Sequence, residues 1–143
     1  MHNEKPQTFI DIDHHELAAR VEDYDRRGWR FVNICGSTVE GGVELIYSFS
    51  DGLPLENLRL TIDNATEIPS VSHRFPNAFF FENETHDLFG VRFLDISIDF
   101  NGEFYTVSVP TPMNPRSEKA REALQAAGAD AAADAPAAAD EEV

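Results

Sequence analysis

The sequence predicts an α+β domain: a mostly antiparallel sheet, made of a meander plus a hairpin, packed by two helices and followed by a disordered C-terminal tail. Three observations predict it. The stretches 43–50 and 56–62 alternate apolar and polar residues with the period of a strand. Residues 13–27 carry helix signals at both ends. Beyond residue 115, large apolar residues all but vanish.

The first helix is expected over residues 13–27. Asp13 caps it, Glu16 completes a capping box, and Ile12 and Leu17 stand at the staple positions. Glu22 with Arg26, and Asp23 with Arg27, are i,i+4 pairs in the favourable order, and Gly28 is the stop. Leu17, Val21 and Tyr24 form the inward stripe. Three strands follow, over 29–36, 43–50 and 56–62. Val43, Leu45, Tyr47 and Phe49 alternate with Glu44, Ile46 and Ser48, as Leu58, Leu60 and Ile62 do with Arg59 and Thr61. Glu40-Gly41-Gly42 and Asp51-Gly52-Leu53-Pro54 are the connecting turns, so an antiparallel meander with the first helix on one face is expected.

A second helix is expected from about Asn77, its cap, to Phe89, with Gly90 as its stop. Ile96, Ile98 and Phe100 then alternate up to Asn101-Gly102, and Tyr105, Val107 and Val109 alternate away from it, which predicts a hairpin. Three prolines between Pro110 and Pro115 close the single domain expected over residues 1–115. Residues 116–143 are Ala-rich and acidic. Ser117–Ala127 has helical composition, but Leu124 is its one large apolar residue, so little would dock it and the whole tail is expected to be solvated.

Composition narrows the function classes. A chain of 143 residues with eleven Phe supplies one core. No apolar run approaches the ~20 residues of a membrane-spanning helix, and Met1–Pro6 lacks a charged-then-apolar secretion signal, so the expected location is cytoplasmic without direct membrane insertion. One cysteine, Cys35, excludes an internal disulfide and cannot hold an iron–sulfur cluster or a zinc ion by itself. Its apolar surroundings read as those of a buried, inert thiol. The formal charge is −15, and residues 1–116 contribute 19 acids against 9 bases, so the acidity belongs to the domain as well as the tail. Such a field disfavours nucleic acid and anionic membrane, and suits solubility or a basic protein neighbour.

The segment Phe79-Phe80-Phe81-Glu82-Asn83-Glu84-Thr85-His86-Asp87-Leu88-Phe89-Gly90-Val91 carries the most information. On a helical wheel Ala78, Phe81, Thr85, Leu88 and Phe89 share the sheet-facing side, Phe80, Glu84 and Asp87 lie on another, and Glu82 falls at the edge. Glu84 and Asp87 repel, no Lys or Arg of the helix compensates them, and Asp87 meets the negative end of the helix dipole. One reading is a solvated acidic face in an already acidic protein, which local physics alone slightly favours. Otherwise the carboxylates find donors elsewhere, at Arg74 or Arg92 or on another chain.

Glu82-x-Glu84-x-x-Asp87-Leu88-Phe89-Gly90-Val91 resembles the signature of the C-subunit family of NADH:quinone oxidoreductase (complex I), Glu-Arg-Glu-x-x-Asp followed by two apolar residues. Ile68-Pro69-Ser70-Val71-Ser72 through Pro76-Asn77-Ala78 also resembles that family's approach to its helix. The same family includes the small soluble subunit of energy-converting, membrane-bound [NiFe] hydrogenases. Asn83 stands where the signature has Arg, and Leu94-Asp95-Ile96-Ser97-Ile98-Asp99 replaces the family's basic His-Pro segment. The missing segment and the short chain favour the hydrogenase-type branch.

The resemblance implies a non-catalytic scaffold subunit of a membrane-associated electron-transfer complex, peripheral to the inner membrane, docked on the hydrogenase-like large subunit and beside iron–sulfur subunits. It implies no cofactor in this chain, with iron–sulfur clusters and a [NiFe] centre in the partners. Glu82, Glu84 and Asp87 are the implied partner-binding residues. The alternative is an acidic protein-binding adaptor of the same fold outside any redox complex. A metal site built from His14, His15, His73, Glu84, His86 or Asp87 lacks a His-x-x-x-His pair, and adjacent helical His14 and His15 diverge by about 100°. No nucleophile elbow, P-loop or dinucleotide fingerprint is present.

Overall fold

A computed structural model describes residues 7–133. Its main sheet has four strands in the order β1-β4-β3-β2: β1 (Gln7–Asp11), β2 (Arg30–Val39), β3 (Gly42–Ser50) and β4 (Leu55–Asp63). The meander β2-β3-β4 is antiparallel, as its alternation predicts, while β1 adds to β4 in parallel. Two short strands, β5 (Glu67–Pro69) and β6 (Arg92–Leu94), pair in parallel on either side of helix α2 (Ala78–Phe89). Helix α1 (Leu17–Arg26) precedes β2, and α3 (Glu118–Ala133) ends the described chain.

The capping box forms. His15 N donates to Asp13 Oδ1 at 2.9 Å and Asp13 N donates to Glu16 Oε2 at 2.8 Å, but this first turn, His14–Glu16, is 3-10 before α1 begins. His14 and His15 therefore do not diverge as helical neighbours would; their rings lie 3.9 Å apart. Asp23 takes both Arg26 and Arg27, each at 2.9 Å, and Glu22 faces Arg74 at 3.6 Å in place of the expected Arg26. Gly28 stops the helix at φ 74°.

Leu17, Val21 and Tyr24 of α1 bury against Val43, Leu45, Tyr47 and Phe49 of β3 and Leu58, Leu60 and Ile62 of β4. The alternation read from sequence thus selects one sheet face. Each such side chain stabilises by about 1.5–3 kcal/mol through burial. Tyr24 stacks on Phe49 at 4.2 Å, worth a further ~0.5–1.5 kcal/mol. Between Phe31 and Asn33 the register of β2 shifts, so Phe31 and Ile34 both reach the core despite opposite parity. Cys35 is consequently on the uncovered face and exposed, contrary to the buried thiol expected. That face also carries a polar tie: Ser48 Oγ donates to Asn57 Oδ1 at 2.6 Å, and Asn57 Nδ2 donates to Thr8 O at 3.2 Å, fastening β1.

Two expectations are corrected. The hairpin over 96–109 does not form: Asn101 and Gly102 turn, with φ 53° and 84°, but the flanking residues pair with no strand. The reason lies in α2, whose side chains take up the backbone of this segment. The tail is also not featureless from residue 116. Thr111, Asn114 and Ser117 are buried, Asn114 Nδ2 donates to Phe89 O at 2.9 Å, and α3 starts from this anchor. Of the expected tail, residues 134–143 lie outside the described residues.

The tightest backbone approach in the sheet is at Gly42, where a Cβ would fall 1.8 Å from Ile62 O. Gly42→Ala is therefore expected to push β3 off β4 and lower stability by roughly 1–3 kcal/mol or more. Urea denaturation checks this; a midpoint equal to wild type would mean that β3 shifts freely.

Candidate functional site

Helix α2 starts at Ala78 after Asn77, whose side chain does not cap it but donates to Phe31 O at 3.3 Å across to β2. It ends at Gly90, φ 75°, whose N–H donates to His86 O. Phe81 and Phe89 lean on the sheet; the Phe89 ring sits so close over Gly36 that a Cβ there would meet it at 2.9 Å. Glu82, Asn83 and Asp87 of α2 are buried, at 0%, 1% and 6% exposure.

What covers Asn83 and Asp87 is the segment from Asp95 to Tyr105, which crosses α2 as a strap. Its backbone is held by side chains at five points. His73 Nε2 pairs with Asp95 O at 2.7 Å, and Ser97 N donates to Ser72 Oγ at 2.9 Å. Asn83 Nδ2 donates to Ile98 O at 2.8 Å, and Phe100 N donates to Asn83 Oδ1 at 3.0 Å. Tyr105 N donates to Asp87 Oδ2 at 2.8 Å. These bonds satisfy groups that a partner strand would otherwise have to meet.

Glu82 serves the other flank. Its Oε1 accepts from Val71 N at 2.8 Å, holding the chain between β5 and α2. Its Oε2 has no hydrogen-bond partner, nor do Asp87 Oδ1 and the hydroxyl of Tyr47, which is wholly buried in the core. Burial pushes the Glu82 carboxyl up to about 7, against the opposing pull of the Ser70 hydroxyl, the Val71 N–H and the more distant His73. Ser70 Oγ also lies 2.6 Å from Ser72 Oγ. Tyr47 is driven well above the usual phenol range, first by burial and then by Glu82.

The three acids singled out from sequence thus differ in role. Glu84 is half-buried at the surface, whereas Glu82 and Asp87 face inward and accept backbone N–H groups of this chain. Neither arginine expected to meet them does so. Arg74 pairs with Glu22 and Asp25, and Arg92 with Glu67 and Glu118. Asn83, read from sequence only as a departure from a family signature, is the residue with the most bonds to the strap. A polar residue of modest helix propensity, one turn after Phe79 and Phe80, was the available signal.

Two outcomes follow from this geometry. Asn83→Ala removes both central strap bonds and is expected to speed amide exchange at Phe100 and Tyr105 while β3 and β4 amides keep their protection; uniform acceleration would make the strap part of the global fold. For Glu82, the unfolded carboxyl titrates near 4.5 and the folded one near 7, so only the native state holds the proton in between. Stability is then greatest at or below pH ~4.5 as far as this group is concerned, and falls by about 3 kcal/mol as pH rises through 7. Glu82→Gln keeps an acceptor for Val71 N and is expected to flatten that slope; urea midpoints of both proteins from pH 5 to 8 measure it, and parallel slopes would refute it.

Comparison with known proteins places this arrangement. No curated protein sequence matches the chain. A chain in the solved structure of the membrane-bound sulfane sulfur reductase, an archaeal respiratory membrane complex, superposes with a TM-score of 0.66 at 14% identity, covering 100% of this chain and 89% of that one. At that identity the likeness is one of fold. The family model described as respiratory-chain NADH dehydrogenase, 30 kDa subunit, matches residues 11–97, from the end of β1 through α2 and into the strap. The chain belongs to the 30 kDa subunit family of the respiratory-chain NADH dehydrogenase.

Proposed function

We propose that this protein is a non-catalytic scaffold subunit of a membrane-associated electron-transfer complex, of the energy-converting hydrogenase or NADH:quinone oxidoreductase type, and that it docks on the hydrogenase-like large subunit. The observation that carries this reading is its membership of a family of respiratory-complex subunits, through a match that includes α2 and the chain on both sides of it. The fold it shares with a chain of an archaeal respiratory membrane complex supports the reading. So does the use made of the acids. Glu82 and Asp87 accept backbone N–H groups on opposite flanks of α2, an arrangement that shapes a surface and does not converge on a substrate.

In this reading the clusters and any [NiFe] centre reside in partner subunits, since a chain with one cysteine cannot ligate a cluster alone. No helix of the described residues is long and apolar enough to cross a membrane, so membrane attachment runs through the partners. Glu84 meets the partner directly, with a basic group opposite it. Glu82 and Asp87 act at one remove, by fixing the segments on either side. Buried charge pairs at such a contact fix register and partner choice more than they add affinity.

The test is purification of the tagged, full-length protein from its host in mild detergent, with mass spectrometry of the co-purifying chains. A hydrogenase-like large subunit, iron–sulfur subunits and membrane proteins are expected. A protein recovered alone at normal expression would overturn the proposal. Glu84→Gln is expected to keep the thermal midpoint within about 1 kcal/mol of wild-type stability, as for a half-exposed charge, while lowering the recovered large subunit severalfold.

A further inference from the structure

The hairpin pattern that failed to form leaves its apolar residues outside. Phe80, Ile98 and Phe100 are 46%, 52% and 40% exposed, and Tyr105, Val107 and Val109 are exposed as well. They are not scattered. Phe104 joins Phe80 at 4.9 Å, Phe100 at 5.1 Å and Tyr105 at 5.0 Å, all edge to face, so one aromatic cluster covers the outer side of the strap and the start of α2. Further along the chain, an apolar groove of about 330 Å³ lies between Val109, Pro112 and the Ala123–Leu124 edge of α3. A contiguous apolar patch on a charged chain marks a contact surface, where single exposed apolar residues would not.

The charges around the patch say what covers it. From Phe93 to Pro115 the chain contains no Lys or Arg but has Asp95, Asp99 and Glu103, all exposed, and Glu84 borders the cluster from α2. The bases nearest in the chain lie on the α3 side: Lys119, held 3.1 Å from His86 Nε2, and the exposed Arg116 and Arg121 beside the groove. A second copy of this chain would bring the same acidic border against itself, a like-charge contact that disfavours pairing. Residues 134–143 carry Asp134, Asp140, Glu141 and Glu142 and no base, so the chain's own end is equally ill-matched.

We propose that residues 98–109, the strap from Ile98 onward and the chain that follows it, form with Phe80 the docking face of this subunit, and that its occupant is an apolar surface of the large partner subunit bordered by arginine or lysine. This rests on the scaffold reading above and adds to it the surface and the chemistry of the partner. The aromatic cluster supplies the buried centre of the contact, and Glu84, Asp99 and Glu103 supply a rim that selects a basic counterpart. The bonds from Asn83 and Asp87 to the strap backbone present these side chains pre-ordered, which reduces the entropy lost on docking.

The experiment uses the full-length tagged chain in its host, with a photo-cross-linking residue at Ile98 and, as control, at Thr61 on the uncovered face of the sheet. The expected product joins position 98 to a segment of the large subunit that contains arginine or lysine among apolar residues. Phe100→Ser with Tyr105→Ser is expected to cut recovery of that subunit at least about tenfold. Glu103→Lys, fully at the surface, is expected to cut it severalfold with the thermal midpoint unchanged, which separates the contact from any loss of folding in the double variant. Full recovery with both variants, or a cross-link from Thr61 alone, would overturn the docking face and leave the scaffold reading standing. A cross-link to a second copy, to residues 134–143, or to a segment without basic residues would overturn the occupant. A wild-type chain that recovers no large subunit would remove both.

Discussion

The structure around α2 depends on one constraint: a stretch of backbone that pairs with no strand must still have its N–H and C=O groups satisfied. Between Asp95 and Tyr105 that duty falls to side chains of the helix and of the chain leading into it. Asn83 and Asp87 reach the strap from one side, His73 and Ser72 from the other. Glu82 does the same for Val71 on the opposite flank. The short parallel pair β5–β6, with Ser70 N donating to Leu94 O at 2.8 Å, brings the two flanks to one end of the helix. Remove these polar side chains and neither flank has a reason to lie where it does. The helix is therefore both a core element, through Phe81 and Phe89, and a hydrogen-bonding template on its outer side.

This explains which parts of the fold were legible in the sequence. The meander was, because Val43, Leu45, Tyr47 and Phe49 on β3 and Leu58, Leu60 and Ile62 on β4 repeat with period two and face a single core. α1 was, down to its capping box. β1 was not, since Gln7-Thr8-Phe9-Ile10-Asp11 is mostly exposed and its existence rests on pairing with a strand some fifty positions away. The bulge in β2 was invisible for a similar reason, and with it the exposure of Cys35. The hairpin was misread in an instructive way. Its local signal was sound, for Asn101 and Gly102 both adopt the left-handed conformation that a hairpin turn requires. Tertiary bonds from Asn83 and Asp87 then claimed the backbone before the two arms could pair with each other.

The candidate site was legible as an anomaly rather than as an arrangement. Sequence marked Glu82, Glu84 and Asp87 because nothing in their helix neutralises them, and that oddity is real. Its resolution required the fold: two of the three accept backbone N–H groups from segments eleven and eighteen residues away. No periodicity argument reaches such partners. Asn83 was legible only as a substitution for arginine, yet a shorter amide is what fits between α2 and a strap close enough to bond at 2.8 and 3.0 Å. A guanidinium there would need the strap to stand further off.

Local and global preferences agree over most of this chain and conflict around α2. A carboxyl is buried with one oxygen unpaired, a phenol is buried beside it without a partner, and aromatic residues that alternate as a strand would are left facing outward. Each conflict lowers stability, and together they gather on α2, on the segments it holds and on the Tyr47 hydroxyl of β3 beside Glu82. Were they accidents of a marginal fold, they would be scattered through the sheet as well, where Leu45, Phe49 and Leu58 instead pack without exposure. Natural sequences are consistent across levels except where another demand overrides folding. Here the demand is for a rigid strap with its apolar side chains outward, and the buried polar groups of α2 are the means of meeting it. The unpaired oxygens are the cost of placing hydrogen-bond acceptors where each carboxyl meets one backbone N–H and its second oxygen meets none.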